Sequence, residues 1–188
     1  MLLLVALVIG LLAGVGTGGK LGNLANLSFV WPWVVIVALV IREATVLSPL
    51  SRVEGVQYVY AAALAALIAW TAWHIPRVRG AWIVALGAAL NLIVVVANQA
   101  HMPVAPALAG RLLDIGHSGQ YVVMGPSTNL SWLGDWIGVP GPLGGAYSPG
   151  DAVIAIGIAV VAFFATRQGS AAATKLNETS GRIGSYPP

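Results

Sequence analysis

The chain contains no cysteine. Disulfides, thiolate nucleophiles and Cys-ligated metals are therefore excluded. Charge is nearly as scarce, with 9 Lys and Arg and 6 Asp and Glu among 188 residues. A soluble domain carries about 25% charged residues, and 8% cannot clothe a soluble surface. The net charge of +3 is too small and too scattered for a nucleic-acid interface. Also missing are the HExxH helix, the phosphate-binding P-loop, the GxSxG elbow and the dinucleotide fingerprint. Only three histidines occur, and a metal site would need His101, His117 and an aspartate to converge. No metal or other cofactor is expected. No basic segment precedes the first apolar block, which reads as a retained helix rather than a cleaved signal.

What is present is apolar: 58% of the residues, with a mean hydropathy of +0.86. This material falls into blocks near the length needed to span a bilayer. The expected fold class is all-α integral membrane, a five-helix transmembrane bundle in a single domain over 1–167. The spans read as about 2–18, 28–47, 55–74, 80–98 and 151–166. Gly10, Gly14 and Gly18 share a face of the first block, a spacing that lets another helix approach closely. Trp31, Pro32 and Trp33 suit the interfacial start of the second. The tight basic turn from His74 to Arg79 joins the third and fourth as an antiparallel hairpin, and His74 itself reads as interfacial.

Residues 99–150 form a loop too long to be a plain connection and too apolar for disorder. It is expected to be structured and extracytoplasmic, carrying short interfacial helices at Pro106–Asp114 and Thr128–Trp136. Residues 168–188 read as a flexible polar tail. Lys20, Arg77, Arg79, Arg167, Lys175 and Arg182 fall on one side, against Arg42, Arg52 and Arg111 on the other. The positive-inside rule then puts the N-terminus out and the C-terminus in, with residue 120 outside and 175 inside.

Two polar clusters remain. Ser148-Pro149-Gly150-Asp151 spells a helix start, with Ser148 as N-cap, Pro149 at the first position and Asp151 as acceptor for an orphan N–H. Asp135 can cap a turn, pair with Arg111 or face a cavity. Glu43 and Glu54 read as ion-pair partners of Arg42 and Arg52. Asn91 and Asn98 stand seven residues apart and hence on one helix face. Asn91 lies deep in an apolar block, where an unpaired amide is costly, so it must meet another helix, a buried water or a ligand. His101 follows near Gln99 and the Met102-Pro103 break. Asn98 is expected near Asp135 or Asp151, with Asn91 pointing into the bundle.

These features together resemble a bacterial membrane family known as domain-of-unknown-function family 5317. The resemblance rests on the Gly-rich first span, on Asn91 and Asn98 leading into Met102-Pro103-Val104, on the segment Thr128 to Asp135, and on Gly150-Asp151. It covers Met1 to about Arg167 and implies a five-span bacterial protein without assigning an activity. The leading expectation is a non-enzymatic inner-membrane protein whose outer loop covers a pocket for a small polar or lipid head group. Asn91, Asn98, His101, Asp135 and Asp151 would line it. Alternatives are a structural or assembly subunit of a larger membrane complex, and an intramembrane enzyme, which lacks a visible nucleophile or metal. Partners are then the lipid bilayer and either another membrane protein or a second copy of the chain.

Overall fold

The computed structural model describes residues 2–47, 53–110, 117–140 and 144–167. Helices form over the apolar blocks: α1 (Leu2–Gly16), α2 (Trp33–Leu47), α3 (Val56–His74), α4 (Ala81–Ala97) and α5 (Pro149–Arg167). Their boundaries follow local chemistry. Gly18, at φ +93°, turns the chain just after α1 and keeps that helix shorter than expected. Pro32 confines α2 to a start at Trp33, so residues 28–32 approach it as irregular chain.

The helices pack in a row, α2 against α3, α3 against α4, α4 against α5 and α5 against α1. Small residues set the closest approaches. A Cβ at Gly10 would stand 2.8 Å from Ala159 Cα, and one at Gly87 would stand 2.6 Å from Gly150 O. Gly14 likewise faces Phe163 and Thr166, whereas around Gly18 there is open space. Gly18 therefore serves the chain reversal and not the helix interface. Gly87 lies beside the start of α5 and Gly80 beside Val160 and Val161, so α4 and α5 are antiparallel. The array thus has a turn end, with residues 17–32, 75–80 and 167, and a lobe end, with the 98–148 segment.

Among the described residues, α3 and α5 are long and apolar enough to cross a membrane, while α1 and α4 are shorter apolar helices. With 15 residues in α1, 15 in α2 and 17 in α4, these three fall below the ~20 residues of a standard span. Length and composition alone thus mark two spans, not the five expected.

The all-α expectation also needs correction, because the lobe contains strands. β1 (Met102–Val104) pairs in parallel with β3 (Tyr121–Val123), which pairs antiparallel with β2 (His117–Ser118). β4 (Ile137–Val139) and β5 (Gly145–Tyr147) form a separate hairpin. Among the described residues, the two expected interfacial helices appear as single 3-10 turns, Pro106–Leu108 and Ser131–Leu133; 111–116, in the first of them, lie outside the described residues. The reason is compositional: β-branched Val104, Val122, Val123, Ile137 and Val139 favour extended chain, and Pro103 and Pro140 interrupt any helix. Val94 and Val95 of α4 are fully buried and form a small core with Ala100, Met102 and Leu133, flanked by Tyr60 and Tyr121. That core fixes the lobe to the ends of α3 and α4.

The α4–α5 contact is backbone against backbone, so it cannot yield to a side chain. Gly87→Val should cost about 1–3 kcal/mol, read as a lower Tm of the purified protein. Gly22→Ala, which meets nothing within 4 Å, should leave Tm unchanged.

Candidate functional site

α5 begins as the Ser-Pro-Gly-Asp spacing predicts. Asp151 N donates to Ser148 Oγ at 2.9 Å, and Ser148 N donates back to Asp151 Oδ2 at 3.1 Å. This reciprocal pair is a capping box. Asn91 reaches across from α4 to close it: its Nδ2 donates to Asp151 Oδ1 at 2.8 Å, and Ser148 Oγ donates to Asn91 Oδ1 at 2.8 Å. Asn91 and Ser148 are buried, at 7% and 0% exposure. The amide that seemed costly inside an apolar block is satisfied on both of its polar ends. Gly150 sits beneath it, and any side chain there would collide with Asn91 Oδ1.

Asn98 engages a different partner. Its Nδ2 donates to Val94 O and Asn129 O, each at 2.8 Å, and its Oδ1 accepts from Asn129 N at 2.9 Å. Asn129 Nδ2 returns a bond to Ala97 O at 3.0 Å. This clasp ties the 125–130 loop to the end of α4. It is Asn91, not Asn98, that meets Asp151.

Beside the clasp lies a cleft of about 720 Å³, between the start of α3, the end of α4 and the 119–129 segment. Glu54, Gln57, Asn98, Gln99, His101 and Thr128 are among its lining residues. The chain enters it through two consecutive non-glycine residues in left-handed conformation, Gln99 at φ +56° and Ala100 at φ +66°. Such conformers cost of order 1–3 kcal/mol each and persist only where the surroundings enforce them. Here burial of Ala100 and Met102 in the lobe core does so, leaving Gln99 and His101 on the cleft. No glycine marks this turn, so the sequence carries no sign of it.

Asp135 is in a third place. It is 5% exposed, and its backbone extends the sheet: Asp135 N donates to Pro103 O at 2.8 Å, and Ala105 N to Asp135 O at 2.9 Å. It is not among the cleft residues, and Arg111, its expected partner, lies outside the described residues. The five residues expected in one pocket are therefore divided, Asn91 with Asp151, Asn98 with His101, and Asp135 apart. Glu54 lines the cleft, while Arg52 also lies outside the described residues. Among the described residues no group of three or more His, Asp or Glu could hold a metal ion.

His74, expected at an interface, is instead a buried latch at the turn end, 1% exposed. Its Nε2 accepts from Val30 N at 3.0 Å, and its Nδ1 lies 2.7 Å from Trp70 O, which assigns the proton to Nδ1. Trp70 Nε1 donates to Val30 O at 2.7 Å, and Phe29 stacks on the Trp70 ring. The Trp70–His74 spacing of one helical turn was the available signal.

The model of a family of unknown function, DUF5317, matches residues 26–163. No curated relative and no solved structure matches the chain.

The clamp predicts a particular sensitivity at Asp151. Its two carboxylate oxygens each accept an N–H, from Asn91 and from Ser148. An Asn there has one acceptor and one donor group, so one donor must face another. Asp151→Asn should cost about 1–3 kcal/mol, more than a solvent-facing cap, as read by denaturation of the purified protein.

Proposed function

We propose that this chain, which belongs to the DUF5317 family of unknown function, is a bacterial inner-membrane protein that spans five times. In this reading it binds a small polar molecule or lipid head group in an outer-side cleft and catalyses no reaction. The observation that carries the binding proposal is the 720 Å³ cleft with its enforced Gln99–Ala100 turn.

Three features support the membrane placement. All the helices run between the same two ends, and their outer faces expose large apolar side chains such as Leu12, Ile36, Val40 and Val96, which water would not tolerate as a continuous surface. Exposed tryptophans gather at both ends, Trp31, Trp33, Trp73 and Trp82 at the turn end, Trp132 and Trp136 on the lobe. Aromatic belts of this kind mark the two interfaces of a bilayer. Lys20, Arg77, Arg79 and Arg167 all stand at the turn end, which supports a cytoplasmic turn end and an external lobe. Short α1, α2 and α4 are accommodated by local thinning and by flanking residues that reach the interface.

Within the cleft, Gln57, Gln99, His101 and Thr128 offer hydrogen bonds, and Glu54 supplies the carboxylate. Neither Lys nor Arg is among the described lining residues. A neutral or cationic polar group suits this chemistry better than an anion. Asn98 is already engaged with Asn129 and forms a wall of the cleft. Gln57 and Gln99 are the residues assigned to the ligand, with His101 in the cleft wall.

Native mass spectrometry of the full chain, gently released from membranes, tests the proposal. We expect a retained small-molecule or lipid adduct that is lost in Gln57→Ala and in Gln99→Ala, with Tm unchanged because neither side chain is buried. Protein that carries only detergent, or a stoichiometric membrane-protein partner over the cleft, would contradict it.

A further inference from the structure

We propose a second site at the opposite end of the molecule, a niche that takes a phosphate-bearing group, with anionic lipid head groups as its source at a membrane surface. It shares the membrane placement proposed above but none of the cleft residues. The niche, about 530 Å³, lies between the end of α1 and the end of α5 and is lined by Thr17, Lys20, Asn23, Thr166 and Arg167, with Gly18 and Gly19.

Its walls are fixed by hydrogen bonds that do not use the Lys20 ammonium. Gly19 presses on α5 so closely that a Cβ would stand 2.6 Å from Thr166 Oγ1. The chain beyond it is tied down by Lys20 N and Asn23 Nδ2, which donate to Thr166 O at 2.8 Å and 2.6 Å. Arg167 lies over the Phe163 ring, 4.8 Å from its centroid, and donates through Nη2 to Thr17 O. That bond uses one of the five N–H donors of a guanidinium. Arg79 stands over the neighbouring Phe164 ring at 5.6 Å.

The simpler account is that these cations only answer the negative ends of α1 and α5. Two helix C-termini supply roughly −0.5 charge each, against two full positive charges from Lys20 and Arg167. About one unit of positive charge is left over, with Arg79 close by. The described carboxylates cannot balance it, because Glu54, Asp135 and Asp151 belong to the lobe end and Glu43 falls in the lobe-end half of α2. An ammonium, a forked guanidinium and an Asn amide around one hollow form a donor set suited to phosphate oxygens.

The test uses the full chain in mixed detergent micelles containing phosphatidylglycerol and phosphatidylcholine in equal amounts. Native mass spectrometry reads which lipid is retained. We expect preferential retention of phosphatidylglycerol, reduced about five-fold by Lys20→Gln or by Arg167→Gln and unaffected by Arg77→Gln, which is not among the residues lining the niche. Lys20 is exposed, so its variant keeps the test valid even if loss of the Arg167–Thr17 bond disturbs folding. Displacement by millimolar inorganic phosphate would identify the free anion as a ligand, and lack of displacement the lipid; both support the site. Equal retention of the two lipids by the wild type, or a preference unchanged in Lys20→Gln, would overturn it. Impermeant-maleimide labelling of Ser127→Cys but not Gly22→Cys in intact cells checks the membrane placement separately.

Discussion

The arrangement depends on how α5 is held. It lies between α1 and α4 with backbone almost touching backbone on both sides, at Gly10 and Ala159, and at Gly87 and Gly150. Glycine contacts allow such an approach but do not choose its register. The Asn91–Ser148–Asp151 knot does that. Its donors and acceptors alternate so that each side-chain oxygen in it is used, and a one-residue slip of α5 would leave buried polar groups facing apolar neighbours, at about 1–3 kcal/mol per group. Satisfied polar clusters in low-dielectric surroundings specify one geometry. This one specifies how α4 and α5 meet.

Both candidate sites inherit that register. At the lobe end, α4 continues past the knot into Val94 and Val95, whose burial anchors the strands and enforces the left-handed Gln99–Ala100 turn beside the cleft. At the turn end, α5 stops beside the reversal that follows α1, which brings Arg167 to Lys20 and Asn23. The two hollows differ in chemistry as well as position. One offers carboxamides, an imidazole and a carboxylate; the other offers fixed positive charge.

Much of the helical layout was legible in the amino-acid sequence. Apolar blocks located all the long helices, and Ser148-Pro149-Gly150-Asp151 announced both the start of α5 and the cap within it. The Gly10–Gly14 spacing pointed to close packing, although Gly18 turned out to serve the turn. The lobe was not legible. Its strands are two or three residues long, too short for alternation to show, and they pair β1 with β3 across a gap that local propensity cannot see. Polar residues within apolar blocks stand out in the sequence, but their partners do not. Asn91 and Asn98 do share a helix face, yet two turns along it separate an interhelical knot from a loop clasp. The burial of His74 is not legible because its neighbours in sequence are basic, while its partners, Val30 and Trp70, come from the preceding chain and the turn below.

The direct test of this account is a double-mutant cycle on the knot, with Asn91→Ala, Asp151→Ala and the combined variant unfolded reversibly from the same detergent. Residues that share a hydrogen-bond network couple by about 0.5–3 kcal/mol, and independent sites add to within about 0.3–0.5 kcal/mol. The structure predicts coupling of about 1 kcal/mol or more, because the second substitution removes a group already stranded by the first. Simple additivity of the two losses would contradict the claim that Asn91 and Asp151 together set the register of α4 against α5.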